Sequence, residues 1–511
     1  MTELRLRTRA TAVSCLTLIA VLAGGAALSA QIAAPAEPLL DQAIALVEND
    51  ASGQDQGGAG DADTWASERR ACQGCPPRSV GRALFQATMI NVFYEMANLV
   101  RGQVTAEITP KTWWANMEQG WVWDLDDFVV NQVGHPYQGN NYFTAGRANG
   151  LSFWESAGVT AFGSGTWEYF GETNHASLND LINTTLGGIA LGEMFHRTAW
   201  LVRDTRLSGR KRLWKEIGAT AIDPVTGVNR FMRGDSSRVS AMPEDMVPST
   251  MGAMASAGVL WRGTNTNAFE GEGDPFLELD LRYGDPTTGR SRMPYDAFGV
   301  LLRFGGGGSF SEAKVRGRLF GQPMANQRFQ LNVAQAYDFS KNNAYQFGAQ
   351  SFNVNAVFNA GVSSRWSMLL SGTGGLMALG AVDSIPLGGV VPEEPPPEEG
   401  DGAGQGVSEG PRFYDYGPGS TIGTRVTLAH DRRPIVVFVY DAYQLYSLDG
   451  VRANHFLQQL RLDLMAPLYR QFGIGFSGEY FDRRTYYKQE ENETRKFHYP
   501  QFRAYLTWRF S

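Results

Sequence analysis

The chain has 511 residues, room for more than one domain or for one long barrel. Lys+Arg 45 against Asp+Glu 52 leaves a formal net charge of -7, which excludes the basic surplus that nucleic-acid binding needs. An ordinary hydrophobic share of 43% goes with an aromatic share of 12% and 59 glycines, a mixture suited to close packing and to strand surfaces.

At the N-terminus, Arg5, Arg7 and Arg9 precede the apolar run "AVSCLTLIAVLAGGAALSA", which closes on small residues at Ser29 and Ala30. That order predicts a cleaved secretory signal peptide over residues 1–30, too short and wrongly flanked for a lasting membrane anchor. Cys15 lies too early in the run for a lipoprotein cleavage site. Residues 31–77 are polar and Gly-rich without apolar periodicity, which predicts a disordered linker. Cys72 and Cys75, in "CQGC", are spaced for a small disulfide loop in an oxidising compartment. No His follows Cys75 and no second pair exists, so haem attachment and a zinc site are excluded.

Residues 78–235 carry apolar residues at helical spacing and predict a helical domain. Ser177 and Asp180 are placed as a capping box. Gly146 and Gly150, Ala157 and Ala161, and Gly158 and Gly165 recur at intervals that let helix backbones approach. Asp180, Thr184 and Gly188 form an i, i+4 row, so a close hairpin with a polar seam is expected. An arginine in that seam needs a carboxylate, and Glu168 or Asp180 are the partners expected for Arg147. Phe143–Phe170 and Leu178–Val202 carry too many charges to cross lipid as helices. They are therefore expected to pack on protein, beneath a barrel or within its lumen.

Residues 236–274 are expected to connect this domain to a barrel over 275–511, where the period changes to two. Leu277, Leu279, Leu281 and Tyr283 alternate with Glu278, Asp280 and Arg282; Leu460, Leu462 and Leu464 alternate with Arg461 and Asp463. Segments of this kind, around ten residues each, predict a transmembrane antiparallel β-barrel of about 12 strands. "GGGGS", "SKNN", "TGG", "HDRR" and "APL" are expected as short turns, and "VPEEPPPEEGDGAGQG" and "KQEENETRK" as long loops sharing one side. Lys314, Arg316 and Arg318 are expected to face the lumen beside compensating acids. The closing strand "FRAYLTWRF" resembles the C-terminal recognition signal of bacterial outer-membrane barrels, so the outer-membrane bilayer and the barrel-assembly machinery are the expected partners.

"HPYQGNNYF", "SLNDLINTTLGG", "DPVTGVNRFMRGD" and "YDYGPG" together resemble a bacterial envelope family known as a domain of unknown function in exported proteins of Gram-negative bacteria. The resemblance covers roughly residues 80 to 235 and implies no activity. No HExxH or G-x-S-x-G pattern is present, and no metal or cofactor is expected. His135, Glu168 and Asp180 are the candidates for acid–base catalysis, and Tyr137, Asn141, Arg147 and Asn183 the candidates for binding. The leading expectation is a non-enzymatic barrel that binds or passes a small or amphipathic solute, with the helices as plug or adaptor. The alternatives are a lipid-modifying enzyme using the three catalytic candidates, and a structural or biogenesis adaptor.

Overall fold

A computed structural model describes residues 75–124, 126–264, 267–287, 291–305, 310–324, 328–384, 414–431, 433–488 and 494–510. The expected signal peptide, most of the expected linker, Cys72 and the acidic Pro-rich loop lie outside the described residues. Cys75 is disulfide-bonded.

The period-two stretches form one closed antiparallel barrel of twelve strands. They are β1 (Met251–Gly263), β2 (Gly271–Tyr283), β3 (Phe298–Gly305), β4 (Glu312–Met324), β5 (Phe329–Lys341) and β6 (Gln346–Gly361), followed by β7 (Trp366–Asp383), β8 (Tyr414–His430), β9 (Arg433–Tyr446), β10 (Ala453–Tyr469), β11 (Phe472–Tyr487) and β12 (Thr494–Phe510). Neighbours in sequence are neighbours in the wall, and β12 pairs back onto β1, with Leu506 opposite Ala257. Closure leaves no open edge, which is the condition for backbone to stand in lipid.

Which side faces inward is settled by contacts between strands that are not neighbours. Arg303 on β3 reaches Glu479 on β11 at 2.8 Å, and Lys314 on β4 reaches Asp441 on β9 at 2.8 Å. Arg461 on β10 and Arg503 on β12 both reach Glu278 on β2, at 2.8 Å and 2.6 Å. Only side chains pointing into a lumen can meet across it. Residues of the other parity, including Leu460, Leu462, Leu464, Ile474, Phe476 and Leu506, are exposed on the outside. Charged inside and apolar outside is the arrangement of a membrane-spanning barrel. The basic row behaves as its alternation predicts for Lys314 and Arg316, whose compensating acids are Asp441 and Asp338.

Several boundaries differ from expectation. β1 lies inside the stretch expected as a connector, because its Gly- and Ala-rich sequence shows little alternation. "TGG" and "APL" are not turns: Gly374 and Gly375 pair with Val354 and Asn353 inside β7, and Ala466 pairs with Ile474 inside β10. The strands run from 8 to 18 residues, so some exceed the ten assumed from bilayer thickness. The two long connections do share one end of the barrel, but "SKNN" joins β5 to β6 at that same end.

Ahead of the barrel come α1 (Val80–Val100), α2 (Pro110–Gln119), α3 (His135–Ala148), α4 (Phe153–Phe170), α5 (Leu178–Ile182) and α6 (Gly188–Val202). π-helical turns at Val130–Gly134 and Asn183–Gly187 lead into α3 and α6. The chain forms two compact units, one of Pro76–Phe195 with Pro248–Ser511, the other containing His196–Val247. In the first, helices lie on the outer face of the wall. Asp338 on β5 points inward, bonded by Arg316 and by the Tyr443 hydroxyl of β9, so its neighbour Tyr337 points outward. Tyr337 donates its hydroxyl to the Gln132 carbonyl at 2.8 Å. On β6, Phe347 packs inward on Tyr443, so Gly348 and Gln350 face outward; a Cβ on Gly348 would meet the Gln132 side chain. Trp154 of α4 stacks on the outward Phe320 of β4. The helices of this unit therefore do not plug the lumen. The lumen is occupied by the barrel's own charged and aromatic side chains.

In the second unit, α7 (Gly209–Ile222) and α8 (Pro224–Met232) are joined at Asp223. Its carboxylate caps α8 through the Thr226 N–H at 2.9 Å and meets His196 at 2.9 Å. Glu216 is clamped between Arg203 at 3.1 Å and Arg230 at 2.7 Å. "DPVTGVNRFMRGD" is therefore a corner whose polar residues serve the packing of two helices.

The interior ion network predicts a specific loss. Arg303→Leu removes the one guanidinium that bridges Glu278, Glu312 and Glu479, a change costing about 3–5 kcal/mol. In unboiled gel samples the folded, fast-migrating band of this variant should convert to the unfolded band at a lower temperature than that of the parent protein. An unchanged conversion temperature would contradict the network's structural role.

Candidate functional site

Because α3 is pressed between the wall and other helices, its polar sequence needs internal partners. It buries every residue except Tyr137 and Arg147. Glycines set the distance: a Cβ on Gly139 would overlap the Thr184 carbonyl and the Gly188 backbone, and one on Gly163 would enter the Tyr142 ring. The polar seam expected from the small residues is present, and its amides and hydroxyls bond across helices: Asn141 donates to the Tyr94 hydroxyl at 2.9 Å and Tyr142 donates to Asn91. Within α3, Gln138 donates to the Tyr142 hydroxyl at 2.6 Å.

His135, Glu168 and Asp180 meet at the end of this seam near the start of β8, all about nineteen-twentieths buried, at 6%, 5% and 4% exposure. His135 Nε2 lies 3.7 Å from Asp180 Oδ1, and its Nδ1 lies 3.2 Å from the Thr184 hydroxyl. The Ser177 hydroxyl accepts from the Asp180 N–H at 3.3 Å, the first half of the expected capping box. The second half differs: the Ser177 N–H goes to Glu168 Oε2 at 2.8 Å, leaving Asp180 to accept from Asn179 at 2.9 Å.

The barrel itself completes the cluster. Asn179 also donates to the Tyr416 hydroxyl at 3.2 Å, and Tyr416 stacks on Trp123. Tyr414 donates to the Asp126 carbonyl and accepts from Asn131 at 2.9 Å. Both tyrosines point outward from β8, since Asp415 between them turns inward to His455 of β10 at 2.8 Å. "YDYGPG" therefore belongs with the helical motifs because it is the patch of wall they rest on.

Burial, then the neighbouring carboxylates, holds Glu168 and Asp180 well above the usual carboxyl range. Burial, then Asp126, pushes Glu172 up to about 7. Glu172 is also held by the Trp167 indole at 3.0 Å. Glu168 and Asp180 are thus biased toward their protonated forms, packed with one imidazole and enclosed, while Glu172 at the edge is half-buried. Such a set can store protons; it has no open cleft for a substrate. Among the described residues, no three His, Cys, Asp or Glu side chains are arranged to hold a metal ion.

The binding candidates are dispersed. Arg147 lies twelve residues along α3 from His135, roughly 18 Å. Its partner is Glu193 of α6 at 3.0 Å, not Glu168 or Asp180, because the helix carries it to the far end of the seam. Tyr137 packs its ring edge-on to Phe195 at 6.3 Å, and Asn141 serves the Tyr94 contact already described. Asn183 is 1% exposed, and neither its amide nitrogen nor its oxygen has a hydrogen-bond partner. Asp124, Asp126, Tyr414 and Tyr416 were not identified as site residues from the sequence. The acids sit in an irregular segment without period, and the tyrosines are some 240 residues beyond the helices, where no spacing rule reaches.

A family described as a domain of unknown function, DUF3943, matches residues 120–225, the stretch holding the seam and the α7–α8 corner. No curated protein matches the chain. Among solved structures, the chain is similar to the KdgM porin at 7% identity, over 50% of this chain and 99% of that one, with a TM-score of 0.23. It is similar to the outer membrane protease OmpT from Escherichia coli at 10% identity, over 52% and 97%, with a TM-score of 0.18. It is also similar to the Pseudomonas putida toluene transporter TodX at 8% identity, over 52% and 90%, with a TM-score of 0.19. Likeness at this level says nothing about what the chain binds.

Two outcomes follow from the seam. Gly139→Leu should cost several kcal/mol, roughly the upper range for overpacking, and detach the helices while the barrel stays folded. Limited proteolysis that cuts between residues 76 and 195 with an intact heat-modifiable band would show it. Raised carboxyl pKa values mean the folded seam holds more protons than the unfolded chain from about pH 4 upward. The seam's stability is full below that pH and falls as pH rises through about 7, where Glu172 titrates. Tryptophan-detected melting of the helices should therefore drop between pH 5 and pH 8, and drop less in Glu172→Gln; equal slopes in the two proteins would contradict the assignment.

Proposed function

We propose that the protein, once exported, resides in a bacterial outer membrane and binds an amphipathic molecule at the helical layer on its outer wall. Membrane residence rests on the closed wall with its outward apolar side chains. The observation that carries the site's location is the packed lumen: side chains from opposite walls meet at 2.8 Å, and two cavities along it measure about 10 and 40 Å³. The smaller is about the space of one water molecule. A lumen filled in this way favours binding over passage. Where the helices meet the wall, Gln350 on β6 is 1% exposed and, like Asn183, has neither amide atom bonded. Two buried amides lacking partners are groups that the polar end of a bound amphiphile would satisfy. Insertion into the membrane by the barrel-assembly machinery follows from residence there.

Planar-bilayer recordings test the exclusion of passage: the intact chain should give no steady conductance, and channel-sized steps would overturn the proposal. Native mass spectrometry from bilayer nanodiscs should retain an amphiphile adduct on the parent protein and lose it in Asn183→Leu. An adduct-free parent would sink the binding half.

A further inference from the structure

α1 packs one side, through Ala83 and Ala87, against Tyr142, Leu151 and Val159 of the layer beneath it. Its other side is bare. Phe85 is 66% exposed, Met89 41%, Phe93 69%, Met96 55% and Val100 85%, at steps of four, four, three and four residues. That spacing is one continuous helical stripe. Between Arg82 and Arg101 the helix carries a single charge, Glu95, which is turned away and 9% exposed. Arg82 and Arg101 are themselves exposed and lie about 28 Å apart along the axis. Among the described residues no helix is long and apolar enough to cross a membrane by itself.

We infer that this stripe is a lipid-facing surface: α1 lies against the acyl chains beside the barrel, extending the barrel's outer belt over the helical layer. The inference rests on the membrane residence proposed above. Continuity with the wall identifies the occupant. On β5 the outward row reads Leu331, Val333, Gln335, Tyr337; the first two are exposed at 40% and 37%, and the last two are buried, with Gln335 bonding the Leu186 carbonyl and Tyr337 the Gln132 carbonyl. The helices begin where the bare apolar row ends, on the same face of the same strand. Trp154 of α4 stacks on Phe320, which is 45% exposed and pairs with Val333, so the layer's edge touches the belt directly. Where the wall turns polar on its outer side, α1 supplies the apolar exterior in its place. Arginines at the two ends, with none between, suit a helix whose ends reach the polar interface.

The test uses the unmodified full chain in phosphatidylethanolamine–phosphatidylglycerol vesicles doped with a phospholipid carrying a diazirine on its acyl chain. After illumination, peptide mapping should find carbene adducts at Phe85, Met89, Phe93 and Met96 at yields within about threefold of those at Leu462 and Ile474 on the belt. Belt adducts with α1 at the background of the α2 surface would overturn the inference and assign the stripe to a protein partner. Absence of adducts at the belt as well would overturn membrane residence itself, which separates the two failures.

Discussion

The constraint on which the rest depends is that a β-strand has two faces and a barrel wall has two surroundings. Every residue of β1 to β12 is committed by its parity either to a charged, cross-linked interior or to the outside. Arg303, Arg461 and Arg503 can converge on Glu278 and Glu479 because five strands present them to one volume. The same parity forces Tyr337, Gln350, Tyr414 and Tyr416 outward. A polar group facing outward from such a wall needs cover, and the helices provide it. The position of the helical layer is thus a consequence of strand alternation at a few residues of β5, β6 and β8.

This also explains the composition of α3. A helix held between a wall and a second helical layer is wholly enclosed, yet the wall patch beneath it is itself polar. Gln138, Asn141 and Tyr142 bond to each other and to Asn91 and Tyr94 of α1, and the glycines bring the backbones near enough for the seam to close. The buried carboxyls near Tyr416 belong to the same logic. Burial raises their pKa and so favours the protonated, hydrogen-bonding form within a low-dielectric seam.

The barrel was legible in the sequence because period two survives along Leu277–Tyr283 and Leu460–Leu464 whatever else the strands contact. β1 was not, since Gly252, Ala253, Ala255, Ala257 and Gly258 dilute the contrast between faces. The hairpin seam was visible in its small-residue spacing. The Arg147–Glu193 pair was missed because Glu193 lies on α6, beyond a π-helical turn that shifts the register and is not encoded by any period. Placement of the helices outside the wall was not legible either. It depends on which side of β5 the tyrosine takes, and that requires knowing the inward partner of Asp338.

The outward polar groups of β5 carry a consequence for how the molecule is made. A barrel inserted without its helices would present Gln335 and Tyr337 to hydrocarbon without the Leu186 and Gln132 carbonyls they bond. The layer must therefore already be in hand when that part of the wall meets lipid. The helices precede the strands in the chain, so they are synthesised first. They are positioned to act as a built-in escort, shielding the polar patch until the wall around it is complete.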